Sequence, residues 1–306
     1  MNKNPFWRLF GPLLLYWVIE FFARVIAEMA VLMPHMSEII DFGSMSSSMT
    51  QDDIMNLAMQ NMDKVNQIME PYQVQIMVVI ALCTVPLTLI LFMRDRKRER
   101  ILKLPQNQKA ELKKYAEIIG LGAAAAIGLN ALAQMANLAF YSAKYQETAN
   151  AYGSAGFPVQ LICLGIIIPV TEELMFRGVL FKRYRETGGF MGAAMCSALF
   201  FGLYHGNMVQ FVYSFILGIL LCYVYEKFGS FKAPVLLHII ANLATLVVGE
   251  MGAFTWMQSA PVRMGVTIIA CAFVGSIMFV MIQKINQKPE NTEPPKQNGA
   301  TPDMFR

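Results

Sequence analysis

Histidine is scarce in this chain, at 3 of 306 residues: His35, His205 and His238. No HExxH pair occurs, so the helix-borne zinc site of many metalloproteases is absent. Aspartate is kept out of the apolar stretches. Asp41, Asp52, Asp53, Asp63, Asp95 and Asp303 all fall outside them, which excludes an aspartyl dyad inside a membrane span. Gly153-Ser-Ala-Gly156 lacks the GxSG order of a serine nucleophile and sits in a loop between apolar runs. The 5 cysteines (Cys83, Cys163, Cys196, Cys222, Cys271) lie singly in apolar runs without metal-type spacing, and read as small core hydrophobes. Charged residues make up only 15% of the chain. There is no internal repeat and no soluble catalytic domain, and nothing in the basic residues calls for nucleic acid as a partner.

What the chain has is hydrophobicity: 56% apolar residues, with 23 Met and 21 Phe. That composition belongs to multi-span membrane proteins. Eight apolar runs are candidate spans, at about 9–33, 73–93, 116–141, 157–181, 191–207, 209–226, 233–249 and 263–283. The fifth and sixth are short and nearly abutting, as in a partly re-entrant hairpin. The first run has no small-residue cleavage site and reads as a retained anchor rather than a signal peptide. The expected architecture is an all-α polytopic bundle in a membrane domain over 1–285, followed by a disordered tail over 286–306 rich in Pro, Asn, Gln and Lys.

Basic residues crowd alternate connections. Arg94, Arg96, Lys97, Arg98, Arg100 and Lys103 follow the second span, Lys182, Arg183 and Arg185 the fourth, Lys227 and Lys232 the sixth, and Lys284 and Lys288 the eighth. The positive-inside rule then places these loops and both termini in the cytoplasm of a cell-membrane protein. The clusters serve topology rather than ligand binding. Residues 34–72 become an external excursion, with linker-like 44–50. Thr50 and Asp53 are placed to cap a helix carrying Ile54, Leu57, Ala58, Met62, Val65 and Met69 on one face. That Met-rich stripe is expected to pack on the domain.

Against this background, Glu172-Glu173-Leu-Met-Phe-Arg177 stands inside the span 157–181. A charged side chain at mid-bilayer costs at least about 2.5–3.5 kcal/mol, so such groups face protein or trapped water and mark a functional site. Glu173 and Arg177, at i and i+4, neutralise each other. Glu172 points about 100° away and lacks that partner. Pro169, three residues upstream, loosens the backbone there. Phe201-Gly-Leu-Tyr-His205 closes the fifth span, and His238-Ile-Ile-Ala-Asn242 puts an imidazole and an amide on one face of the seventh. Counting from the Gly188-Gly189 turn sets Glu172 and His205 at equal depth. Counting from Phe181 sets Glu172 about 13 Å from the cytoplasmic side. A carboxylate in a dry site beside a histidine is suited to activate water for attack on a carbonyl, with His238 and Asn242 on the oxyanion side. The same groups also fit helix-packing hydrogen bonds in a scaffold or transporter. A further ladder, Glu20, Arg24 and Glu28 in the first span, reads as a self-neutralising strip facing the bundle, or as the wall of a substrate portal.

The order EExxxR, FxxxH, HxxxN on successive apolar helices resembles the CPBP family of type II CAAX prenyl endopeptidases and bacteriocin-processing or immunity-associated relatives. The resemblance covers about 157–249, taken as the catalytic core. It implies an intramembrane endopeptidase acting on a peptide or protein substrate at the lipid bilayer, here expected from the cytoplasmic side. It also implies Glu172 as base, His205 as its partner, His238 and Asn242 at the oxyanion, and Glu173, Arg177 and Phe201 as structural support. No cofactor is expected. The alternative is zinc held by Glu172, His205 and His238. A non-catalytic scaffold or bacteriocin-immunity role is the other alternative.

Overall fold

The computed structural model describes residues 5–40, 49–104, 106–136 and 143–286. Most of the Ser-rich linker (44–48) and the tail beyond Asn286 lie outside them. Among the described residues the longer helices are α1 (Pro5–Leu32), α2 (Gln51–Met69), α3 (Gln73–Ile101), α4 (Tyr115–Met135), α5 (Ala143–Gly153), α6 (Phe157–Thr187), α7 (Phe190–Tyr204), α8 (Met208–Phe228), α9 (Lys232–Glu250) and α10 (Pro261–Gln283). All eight expected spans are present in an all-α bundle. Seven are long and apolar enough to cross a membrane, and α7 is shorter.

The outer surface is apolar. Phe21 on α1 is 62% exposed and Ile269 on α10 is 71% exposed, a solvent-facing pattern that only lipid makes favourable. Neighbouring helices bury their small-residue faces on each other, α4 against both α9 and α10, and α7 against α8. The α7–α8 connection is a tight turn. Gly206 takes φ 72°, in the left-handed region, and the Asn207 side chain caps α8 by accepting from Gln210 N–H at 2.9 Å. At 15 residues α7 is only about 22 Å long, while α8, at 21 residues, is long enough to cross.

The basic connections gather at one end and are more than a topology signal, because ion pairs stitch the helix ends together. Arg183 grips Asp95 through two bonds of 2.6 and 3.1 Å and donates to the Arg8 carbonyl at 2.8 Å. Glu186 accepts from Arg98 at 2.6 Å and also pairs with Arg8, while Arg185 pairs with Glu226 at 2.9 Å. Asp95 lies past the apolar run yet is buried, since α3 continues as a helix to Ile101.

At the other end, the capping box forms as the sequence implies. Thr50 Oγ1 accepts from Asp53 N–H at 3.2 Å, and Asp53 accepts from Thr50 N–H at 2.9 Å. The Met-rich stripe of α2 packs only at its C-terminal end, where Val65 and Met69 meet Ala23, Ile76 and Ile80. Of the stripe, Ile54, Ala58 and Met62 remain exposed and Leu57 is half-buried, so the expectation that the whole stripe packs is corrected.

Candidate active site

The site begins with a break in α6. Residues Cys163–Ile167 and Leu174–Phe181 wind as π turns, a distortion frequent at functional positions. Ile168 N–H bonds back to the Cys163 carbonyl, which leaves the Leu164 carbonyl without its usual i+4 donor. Its i+5 residue is Pro169, which has no N–H. The side chain of Asn242 on α9 supplies the missing donor at 2.8 Å. Asn242 is thus first a clamp between α6 and α9, with one amide hydrogen left for other work.

The six residues between the two π turns, Ile168–Glu173, carry the acidic pair. Glu173 and Arg177 form a fully buried ion pair at 2.7 Å, as their spacing requires. The Arg177 guanidinium lies 4.1 Å from the Phe201 ring centre and donates to the Gly218 carbonyl at 3.2 Å. Gly218 is needed for this approach, because a Cβ there would sit 3.1 Å from Arg177 Nη2 and 2.9 Å from Ala198 Cβ. Phe201 is the hub of the site. Its edge contacts to His205 and His238 have centroid distances of 4.9 and 5.6 Å.

His238 straddles the two glutamates. Its Nδ1 lies 2.9 Å from Glu173 Oε1, and its Nε2 faces Glu172 Oε2 at 3.7 Å. A carboxylate fixing Nδ1–H leaves Nε2 directed at Glu172. The imidazole beside Glu172 is therefore His238, whereas the depth count points to His205. His205 donates through Nδ1 to the Phe201 carbonyl at 2.8 Å, which leaves its Nε2 as an acceptor. Glu172, His205, His238 and Asn242 all line one cavity of about 1050 Å³. Glu172 is at the midpoint of the 31-residue α6, which continues past the apolar run to Thr187.

The sequence left α1 with two readings, a self-neutralising strip or the wall of a portal, and did not show what holds Glu20. Glu20 accepts from Tyr204 Oη at 2.6 Å and lines the cavity with Trp17 and Arg24. Only Arg24 and Glu28 pair with each other, at 3.5 Å, so the ladder is a cavity wall more than a self-neutralising strip. The polar ladder was visible, but its partner lies 184 positions away. Among the described residues no three His, Cys, Asp or Glu side chains converge in a way that could hold a metal ion. Glu172, His205 and His238, the set expected for zinc, line the same cavity without gathering as three ligands.

Fold and site define a class: a polytopic membrane protein with a carboxylate–histidine centre buried at mid-bundle. Residues 154–244 match the family model described as Type II CAAX prenyl endopeptidase Rce1-like, a range containing every motif residue from Glu172 to Asn242. Over 106 residues the chain is 24% identical to "Putative membrane peptidase YdiL" of Bacillus subtilis (strain 168), covering 35% of this chain and 40% of that protein. The matched stretch therefore spans less than half of the relative's length. No solved structure matches the chain. Over the segment 154–244 the chain is similar to the Rce1-like type II CAAX prenyl endopeptidases.

Proposed function

We propose that the protein is an intramembrane endopeptidase in which Glu172 activates a water molecule for direct attack on a peptide carbonyl. The observation that carries this reading is the position of Glu172. It is a buried carboxylate with His238 3.7 Å away, facing a cavity large enough for a peptide segment. Its neighbour Glu173 is already neutralised by Arg177, so the pair divides into an anchor and a reagent.

In the proposed reaction Glu172 takes a proton from water as the water oxygen bonds to the carbonyl carbon. The tetrahedral oxyanion collapses, the C–N bond breaks, and the proton passes to the departing amine. His205 Nε2, an acceptor because Nδ1 is held by the Phe201 carbonyl, orients the water. When His238 Nε2 carries a proton, it and the free amide hydrogen of Asn242 face the oxyanion side. No acyl-enzyme forms. No step in this scheme is routed through a metal. The substrate remains a peptide or protein at the membrane.

Membrane proteomics of cells carrying Glu172→Gln or His205→Ala tests the assignment. Uncleaved precursors should accumulate while the variant inserts and purifies like the parent. Unchanged processing by Glu172→Gln would reject it. Unchanged processing with an intact cellular phenotype would favour a non-catalytic peptide-binding scaffold.

A further inference from the structure

The cavity is one-sided. Its lining residues on α1 fall between 17 and 24, on α3 between 73 and 81, on α6 between 164 and 172, on α8 between 209 and 217 and on α9 between 238 and 246. On each helix these stretches reach from the level of Glu172 toward the same end of the bundle. That end is where α2 and α5 lie, and both helices contribute to the rim, α2 through Asn66 and Met69 and α5 through Glu147 and Asn150, with Glu70 in the turn after α2. None of the lining residues on these helices lies on the other side of Glu172. There the bundle is filled by Phe176, Leu180, Phe181, Tyr225 and Phe228, all buried, and is closed by the Arg183–Asp95 and Arg98–Glu186 pairs.

The filled end is also the basic one. Arg96, Arg98, Arg100, Lys182, Arg185 and Lys227 belong to it, whereas the rim of the cavity carries Glu70 and Glu147 with Arg24. Positive charge near short connections sets cytoplasmic orientation. We propose that the cavity opens on the non-cytoplasmic side, so that the scissile peptide is a segment presented outside the cytoplasm and lowered to Glu172 from there. This rests on the endopeptidase reading for the nature of the ligand, and it reverses the side of access expected from the sequence.

The geometry of access is tested without a substrate by labelling introduced cysteines in intact cells with a membrane-impermeant thiol reagent. Three single replacements in the otherwise native chain suffice, with the parent protein as blank because its own cysteines lie in the spans. Asn150→Cys reports the rim, Leu246→Cys the cavity wall and Arg100→Cys the basic end. Asn150→Cys and Leu246→Cys should react with reagent added outside, the latter with a small cationic methanethiosulfonate. Arg100→Cys should react only after permeabilisation. Labelling of Arg100→Cys from outside would reverse the orientation and overturn the proposal. So would a Leu246→Cys that reacts only in inverted vesicles, or from neither side. If Leu246→Cys fails to yield folded protein by size-exclusion chromatography, Thr245→Cys on the same wall replaces it. Since labelling needs no chemistry at Glu172, it can fail while the peptidase assignment stands. Equally, an inert Glu172→Gln result would leave the labelling pattern untouched.

Discussion

The two halves of the bundle on either side of Glu172 are built in opposite ways from similar residues. The basic half is solid, with aromatic rings filling the axis and ion pairs tying α1, α3, α6 and α8 at their ends. The other half is hollow and lined by polar groups that face a cavity, such as Glu20, Gln210 and Asn242. In the solid half Asp95, Glu99, Glu186 and Glu226 are each held by basic side chains, and these pairs serve stability. In the hollow half Glu172 is left with a histidine 3.7 Å away, and reactivity becomes available. A site that excludes bulk water on one side and admits it on the other can hold a single reactive water in place.

The largest effect expected from breaking this contrast is chemical. Glu172→Gln keeps the shape of the hollow half but removes the base, and turnover should fall by about 10²–10⁴-fold or more. Precursor accumulation or cleavage by purified protein measures it, and the thermal midpoint should barely move. Next comes the boundary between the halves. Arg177→Met leaves Glu173 buried and uncompensated, with an expected loss of about 3–5 kcal/mol, seen as a lowered unfolding midpoint in detergent. Adding Glu173→Gln to it should restore part of that loss. A double variant less stable than Arg177→Met would contradict the pairing.

Within the solid half, Asp95→Asn weakens the two-pronged grip of Arg183 and should cost about 1.5–3 kcal/mol with processing retained. Loss of activity at full stability would mean that the basic end does more than fasten helices. The smallest effect belongs to Thr50→Ala. It removes the cap of α2 and should raise hydrogen exchange in the first turns of that helix alone, leaving the global unfolding midpoint unchanged.

Much of this arrangement was legible because it is local. Hydropathy marks every span, i,i+4 spacing pairs Glu173 with Arg177, and Thr50 with Asp53 forms its capping box within one turn. The EExxxR, FxxxH and HxxxN motifs gather at one cavity, as their order implies. What stayed hidden depends on contacts between distant helices. The imidazole at Glu172 proved to be His238, since rotation of α9 relative to α6 is set by packing and by the Asn242–Leu164 clamp. Glu20 lies 184 positions from the tyrosine that holds it, and no periodicity within α1 reports that.

The sequence by itself determined the membrane-spanning helices, the charge asymmetry between their ends and the chemical inventory of the site. Each of these follows from side-chain transfer energies and helical spacing along one segment. Only the tertiary structure decided which half of the bundle is hollow. A cavity is the space that several helices fail to fill, and that depends on how Phe176, Phe181 and Phe228 meet on one side while Glu20, Glu172 and Asn242 face one another across a gap on the other.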